Sequence, residues 1–154
     1  MFVYLLALLI GIVAGLRAMT APAAVAWAAH LGWLKLGESW LTFFESVWAR
    51  WILTLLALGE LITDQLPSTP SRTVPIQFGT RLVSGAVSGA AIGAAGGNWI
   101  AGFVAGLIGA VIGTLGGRAF RARLAVAFGN DRPAAIVEDA VAIIGALLIG
   151  VAMR

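Results

Sequence analysis

Trp99–Gly116 reads WIAGFVAGLIGAVIGTLG, eighteen residues without a charge. At ~1.5 Å per residue, a helix of that length covers most of a ~30 Å hydrocarbon core. Its glycines, Gly102, Gly106, Gly109, Gly113 and Gly116, step alternately by four and three residues. They therefore share one helix face, where missing side chains let another backbone approach. The run upstream, about Phe78 to Ala95, carries Gly85, Gly89 and Gly93 at steps of four, continued by Gly97, with Ser84 and Ser88 beside them. The first pattern, with its 3.5-residue period, favours a left-handed seam, and the second a right-handed close crossing. The two faces suit each other, a second copy in a homodimer, or a larger membrane complex. A phosphate-binding loop is a poor reading, because no strand precedes the glycines and no Lys-Ser/Thr follows them.

Composition extends this reading to the whole chain. Of 154 residues, 60% are apolar and 11% charged, whereas a soluble domain carries about a quarter charged residues. The expectation is one all-α, polytopic membrane domain, residues 1–154, in contact with the lipid bilayer. About five transmembrane helices are placed at Phe2–Leu16, Leu41–Ile62, Phe78–Ala95, Trp99–Gly116 and Ala134–Met153. Phe2–Leu16 lacks a basic stretch ahead of it, so it is read as a retained helix and not a signal peptide. A short helix, Ala21–Leu34, begins at Thr20 and Pro22. It is too short to cross, and is placed at an interface or as a re-entrant piece. Trp27, Trp33, Trp40, Trp48 and Trp51 mark a membrane–water boundary. The prolines of Gln65–Pro75 forbid regular helix, and Arg118–Phe128 reads as a short amphipathic surface helix.

The net charge of +3 does not point to nucleic acid, since the basic residues lie in short loops and form no aromatic-rich face. They read as topology signals. Arg72, Arg81, Arg118, Arg121, Arg123 and Arg132 fall on one side of a five-span layout, against Lys35 and Arg154 on the other. That bias puts the N-terminus inside and the C-terminus outside. Cysteine is absent, which excludes disulfides and thiolate metal sites.

Gly15–Trp27 matches Gly116–Phe128 at seven of thirteen positions, five of them Ala or Gly. The match suggests an inverted repeat of residues 1–62 and 98–154 about a linking helix, 78–96. Such repeats recur in transporters, because two related halves give inward- and outward-open states of similar energy. An old duplication kept only as scaffold is the other reading.

Ionisable groups inside spans are costly and face the protein interior or a wet cavity. Glu60 and Asp64 lie four apart on one helix face, and Glu138 and Asp139 sit at the same depth. With Arg72, Arg81 and Arg118 nearby they suit an ion-pair network or a proton or cation relay. Arg17 stands at a helix break beside the positive end of the next helix, where an anion is welcome. Alternatively it snorkels or pairs with Glu45. His30 has no partner ligands, so no metal site or cofactor is expected. No Ser-His-Asp set exists, so no enzyme is expected either. Ser68, Thr69, Ser71 and Thr73 suit helix capping.

Three blocks carry a family resemblance: Gly15-Leu-Arg-Ala-Met-Thr-Ala-Pro22, Glu60-Leu-Ile-Thr-Asp-Gln-Leu-Pro-Ser-Thr-Pro-Ser-Arg-Thr73, and Asp131-Arg-Pro-Ala-Ala-Ile-Val-Glu-Asp139. With the glycine-rich stretch between the last two, the chain resembles the bacterial membrane family called domain of unknown function 4126. The resemblance implies a bacterial inner-membrane protein and suggests that Glu60–Thr73 and Glu138–Asp139 form one site. The function expected is transport of a small polar or anionic solute, with Arg17, Glu60, Asp64, Arg72, Glu138 and Asp139 as the polar core and the carboxylates as couplers. The rival is a non-transporting accessory or assembly subunit.

Overall fold

The first helix, α1 (Phe2–Leu16), stops at Arg17, whose backbone is extended (φ −140°, ψ 110°). α2 (Thr20–His30) then turns back, with Pro22 in its first turn where no intrahelical N–H is lost. These assignments come from a computed structural model that describes residues 1–37, 39–64 and 73–154. A 3-10 turn, Trp40–Glu45, leads to Ser46, whose Oγ accepts the Ala49 N–H (3.0 Å) and caps α3 (Val47–Thr63). α4 (Pro75–Ala95) starts on its proline. Asn98 caps α5 (Trp99–Phe128), which ends at Gly129 in the left-handed region (φ 64°). Asn130 caps α6 (Asp131–Ala152). Every regular element among the described residues is a helix.

The centre is built by α1, α4 and α5, and glycine decides it. Gly11 meets Gly106, Gly85 meets Gly106 and Ala110, and Gly89 and Gly93 both meet Gly102. A methyl group on Gly93 would stand 2.6 Å from the Gly102 Cα, so no larger residue fits. The two glycine faces thus pack on each other and on α1. The pairings run α1 parallel to α5 and α4 antiparallel to both. Small buried residues such as Ala7, Ala14, Ala86, Ala90 and Ala110 complete the interior.

The outside carries the bulk. Ile52, Leu55 and Leu56 on α3, Ile108 and Ile112 on α5, and Ile144, Leu147 and Leu148 on α6 are exposed, while Arg17, Arg81 and Glu138 are buried. α5 and α6 are long and apolar enough to cross a membrane; α1 is apolar but has 15 residues.

Several sequence expectations need correction. Arg118–Phe128 is no separate surface helix, because α5 continues through Gly116 and Gly117 without a break. The helix placed at Leu41 begins at Val47, since Ser46 provides the cap. Glu45 therefore lies outside the helix, where its carboxylate accepts the Leu36 N–H (3.0 Å). The segments Gly15–Trp27 and Gly116–Phe128 differ in conformation, the first broken at Arg17 and the second continuous.

The largest correction concerns depth. α2 and the residues after it return the chain to its starting end: Gly32, Trp33 and Leu34 line one cleft with Phe2, Val3 and Arg154. Arg17 is thereby not opposite the acidic pairs but at their level, and Phe2 and Arg154 lie at the same end of the bundle.

Candidate functional site

Where α1 breaks, the chain turns two side chains and several peptide groups into a charged cluster. The extended Arg17 backbone lets its guanidinium turn inward, fully buried, where it pairs with Asp64 at the end of α3 and Asp139 on α6. Arg81, on the first half of α4, is also buried; it donates to the carbonyls of Gly15 (2.9 Å) and Leu16 (2.5 Å). These are last-turn carbonyls of α1, which have no intrahelical donor, and a cation is favoured there. Arg81 also lies 3.7 Å from Glu60 and 3.8 Å from Asp64.

Glu60 faces the opposite pole. Its two carboxylate oxygens accept the N–H groups of Ala18 and Met19, each at 2.8 Å, at the entry to α2. Ser84, one turn along α4 from Arg81, donates to the Ala18 carbonyl. α4 thus fixes the α1–α2 link from one side, and α3 from the other.

A second group sits just outside. Arg121 forms a two-pronged pair with Asp131 (2.9 and 2.5 Å) and lies 3.6 Å from the buried Glu138. This contact joins the far part of α5 to the start of α6.

The structure therefore brings together Arg17, Glu60, Asp64 and Asp139 of the expected polar core. It gives Glu138 to Arg121 instead, and Arg72 lies outside the described residues, as do Ser68, Thr69 and Ser71. The expected pairing of Arg17 with Glu45 does not occur, because Glu45 is at the other end of the bundle. His30 packs edge-on to Trp27 (6.3 Å). Among the described residues no group of three or more His, Cys, Asp or Glu could hold a metal ion.

Two features escaped the sequence reading. Arg81, already inside the expected Phe78–Ala95 span, shares one face of α4 with Ser84, Ser88, Ile92 and Ala95, at helical steps of three and four, a stripe not singled out from the sequence. Ser88 is fully buried and its Oγ has no hydrogen-bond partner. At the far end of this stripe, Ile92 and Ala95 line a cleft of about 460 Å³ with Trp33, Lys35, Met153 and Arg154. A wider groove of about 700 Å³ between α1 and α5 is apolar, lined by Leu5, Leu8, Val104 and Ile108, and suits a lipid chain.

A family model described as "Domain of unknown function (DUF4126)" matches residues 4–152, nearly the whole chain. No curated protein and no solved structure matches.

Proposed function

The chain belongs to the DUF4126 family, and on that premise we propose that it is a small polytopic permease of the bacterial inner membrane for a small anionic solute. α1, α3, α4, α5 and α6 are the spans, and α2 is a sixth traverse held inside the protein. The exposed apolar side chains around buried charges support this reading, because only lipid makes that inversion favourable.

The observation that carries the transport reading is the α4 stripe. It joins a closed ion-pair cluster at Arg81 to a cleft edged by Lys35 and Arg154 at Ala95. Basic groups at the cleft raise the local concentration of anions. Ser88 offers a buried hydroxyl midway, and the paired charges close the far end. Protonation of Asp64 or Asp139 would loosen Arg17 and open that end, which couples the path to protons. With Arg118, Arg123 and Arg132 also at the cluster end, that end faces the cytoplasm. Phe2 and Arg154 then both face outward, which reverses the N-terminal side read from five spans and keeps the C-terminal one, because α2 adds a traverse.

The test is flux in proteoliposomes across a panel of chloride, nitrate, formate, acetate and phosphate. One anion should cross roughly tenfold faster than through empty vesicles, and Ser88→Leu should block it. If folded protein moves none of them, the permease reading is lost.

α3 supports a second reading. It buries only Ala57, and Trp48, Ile52, Leu55, Leu56 and Ile62 are exposed. That face suits a second copy or a neighbouring membrane subunit, and cross-linking from Leu55→Cys in native membranes would capture it.

A further inference from the structure

We infer that the bundle end carrying Phe2 and Arg154 holds one anionic phospholipid, its phosphate headgroup in the cleft edged by Lys35 and Arg154 and one acyl chain in an apolar hollow behind Trp33. The inference goes beyond the permease reading and does not need it, since binding is read without flux.

The hollow lies between α2 and α6 and measures about 270 Å³. Ala24, Ala28, Ala146 and Gly150 line it, with the Trp27 ring as one wall. Gly150 is buried, yet a methyl group added to it would meet nothing within 4 Å. The two helices pack here and neither fills the gap. Roughly 150 Å³ of apolar cavity takes a benzene ring, so this one takes a length of hydrocarbon chain. Its rim residues Leu31, Leu147 and Val151 are exposed, which opens it to lipid. Trp27 is held from closing it, because its Nε1 donates to the Thr54 hydroxyl (2.9 Å).

The cleft of about 460 Å³ differs in chemistry. Lys35 and Arg154 line it, and none of its lining residues is acidic. Trp33 lines both spaces, so they share a wall. The backbone fixes that wall. Gly32 takes the left-handed conformation (φ 74°) at the end of α2, and the Trp33 and Leu34 N–H groups both donate to the Ala28 carbonyl (3.0 and 3.2 Å). The order along α6 matches a lipid standing in one leaflet. Arg154 is at the charged end, and Gly150 and Ala146 follow inward over ~12 Å at ~1.5 Å per residue. Cations and an indole at the boundary, with apolar space beneath them, accept a headgroup and its tail in that order. A headgroup of net negative charge gains more from two basic side chains than a zwitterionic one. Seated there it competes with free anions for the cleft, so the lipid is a brake on the path proposed above and not its cargo.

The experiment titrates the full chain in a non-ionic detergent with dioleoyl phosphatidylglycerol, with phosphatidylcholine of the same chains, and with glycerol 3-phosphate, a headgroup without tails. Native mass spectrometry reads the adducts. Phosphatidylglycerol should bind as one adduct, about tenfold more tightly than phosphatidylcholine. Lys35→Gln should cut that preference about fivefold. Gly150→Leu, whose side chain enters the hollow, should displace the lipid, and Ala24→Leu fills the same space from α2 if Gly150→Leu does not fold. Equal binding of the two lipids, or unchanged binding by the filled variant, overturns the inference. Glycerol 3-phosphate binding as tightly as phosphatidylglycerol also overturns it, by making the cleft a site for a free phosphate ester. Anion flux is measured separately. Flux without lipid selectivity removes the lipid site and keeps the permease; selectivity without flux keeps the lipid site and removes the permease.

Discussion

Arg17 is buried between the carboxylates of Asp64 and Asp139. Removing one member of such a set strands the others in a poor solvent. Arg17→Leu should therefore cost about 3–5 kcal/mol, read as an early thermal transition in detergent. Adding Asp64→Asn and Asp139→Asn should recover much of that loss, and no recovery would mean the pairing is not what Arg17 contributes. Glycine gives a sharper contrast. Gly106→Ala places a methyl against the Gly85 carbonyl and Gly89, whereas Gly59→Ala points into open space. The first should lower stability by about 1–3 kcal/mol, and the second should be neutral or stabilising by about 0.5–1 kcal/mol. Much of this was legible in the residues: a charge inside an apolar run is expensive, so Arg17, Glu60, Asp64 and Asp139 stood out. Partners were not. Nothing local to Glu138 says that it meets Arg121 and not Arg17.

At the scale of elements, the start of α5 at Trp99, behind the Asn98 cap, was placed from the sequence, whereas the ends marked by Gly129 and Asn130 were not. Gly116-Gly117-Arg118 resembles such an end and is not one. Those glycines continue α5, and the Ala- and Arg-rich residues after them are good helix formers. α4 starts ahead of the expected Phe78 because Pro75 is a favoured first residue of a helix. α3 buries one residue of its own, Ala57. Its backbone amides should exchange with solvent deuterium well before those of α4, whose face from Arg81 to Gly93 is buried. Mass spectrometry in nanodiscs measures this, and equal protection would contradict it.

At the scale of the molecule, the short α2 is the element whose course the sequence hid. Eleven residues cannot span lipid, but lipid is not what α2 spans; it runs inside the protein, where Ala21, Val25 and Ala28 are buried. The count of traverses, and with it the side of each end, turns on that helix. The chain has no native cysteine, so single cysteines report without background. Phe2→Cys and Arg154→Cys should both react with an impermeant maleimide on intact cells, and Arg123→Cys only after permeabilisation. Labels on opposite sides for residues 2 and 154 would show that α2 does not complete a traverse.

The most direct test of the transport account is Ser88→Cys in inside-out and right-side-out vesicles. A small anionic methanethiosulfonate should modify it from the side carrying Lys35 and Arg154, faster than a cationic reagent of like size. Modification from neither side, or by the cation preferentially, would mean that no anion path runs along α4.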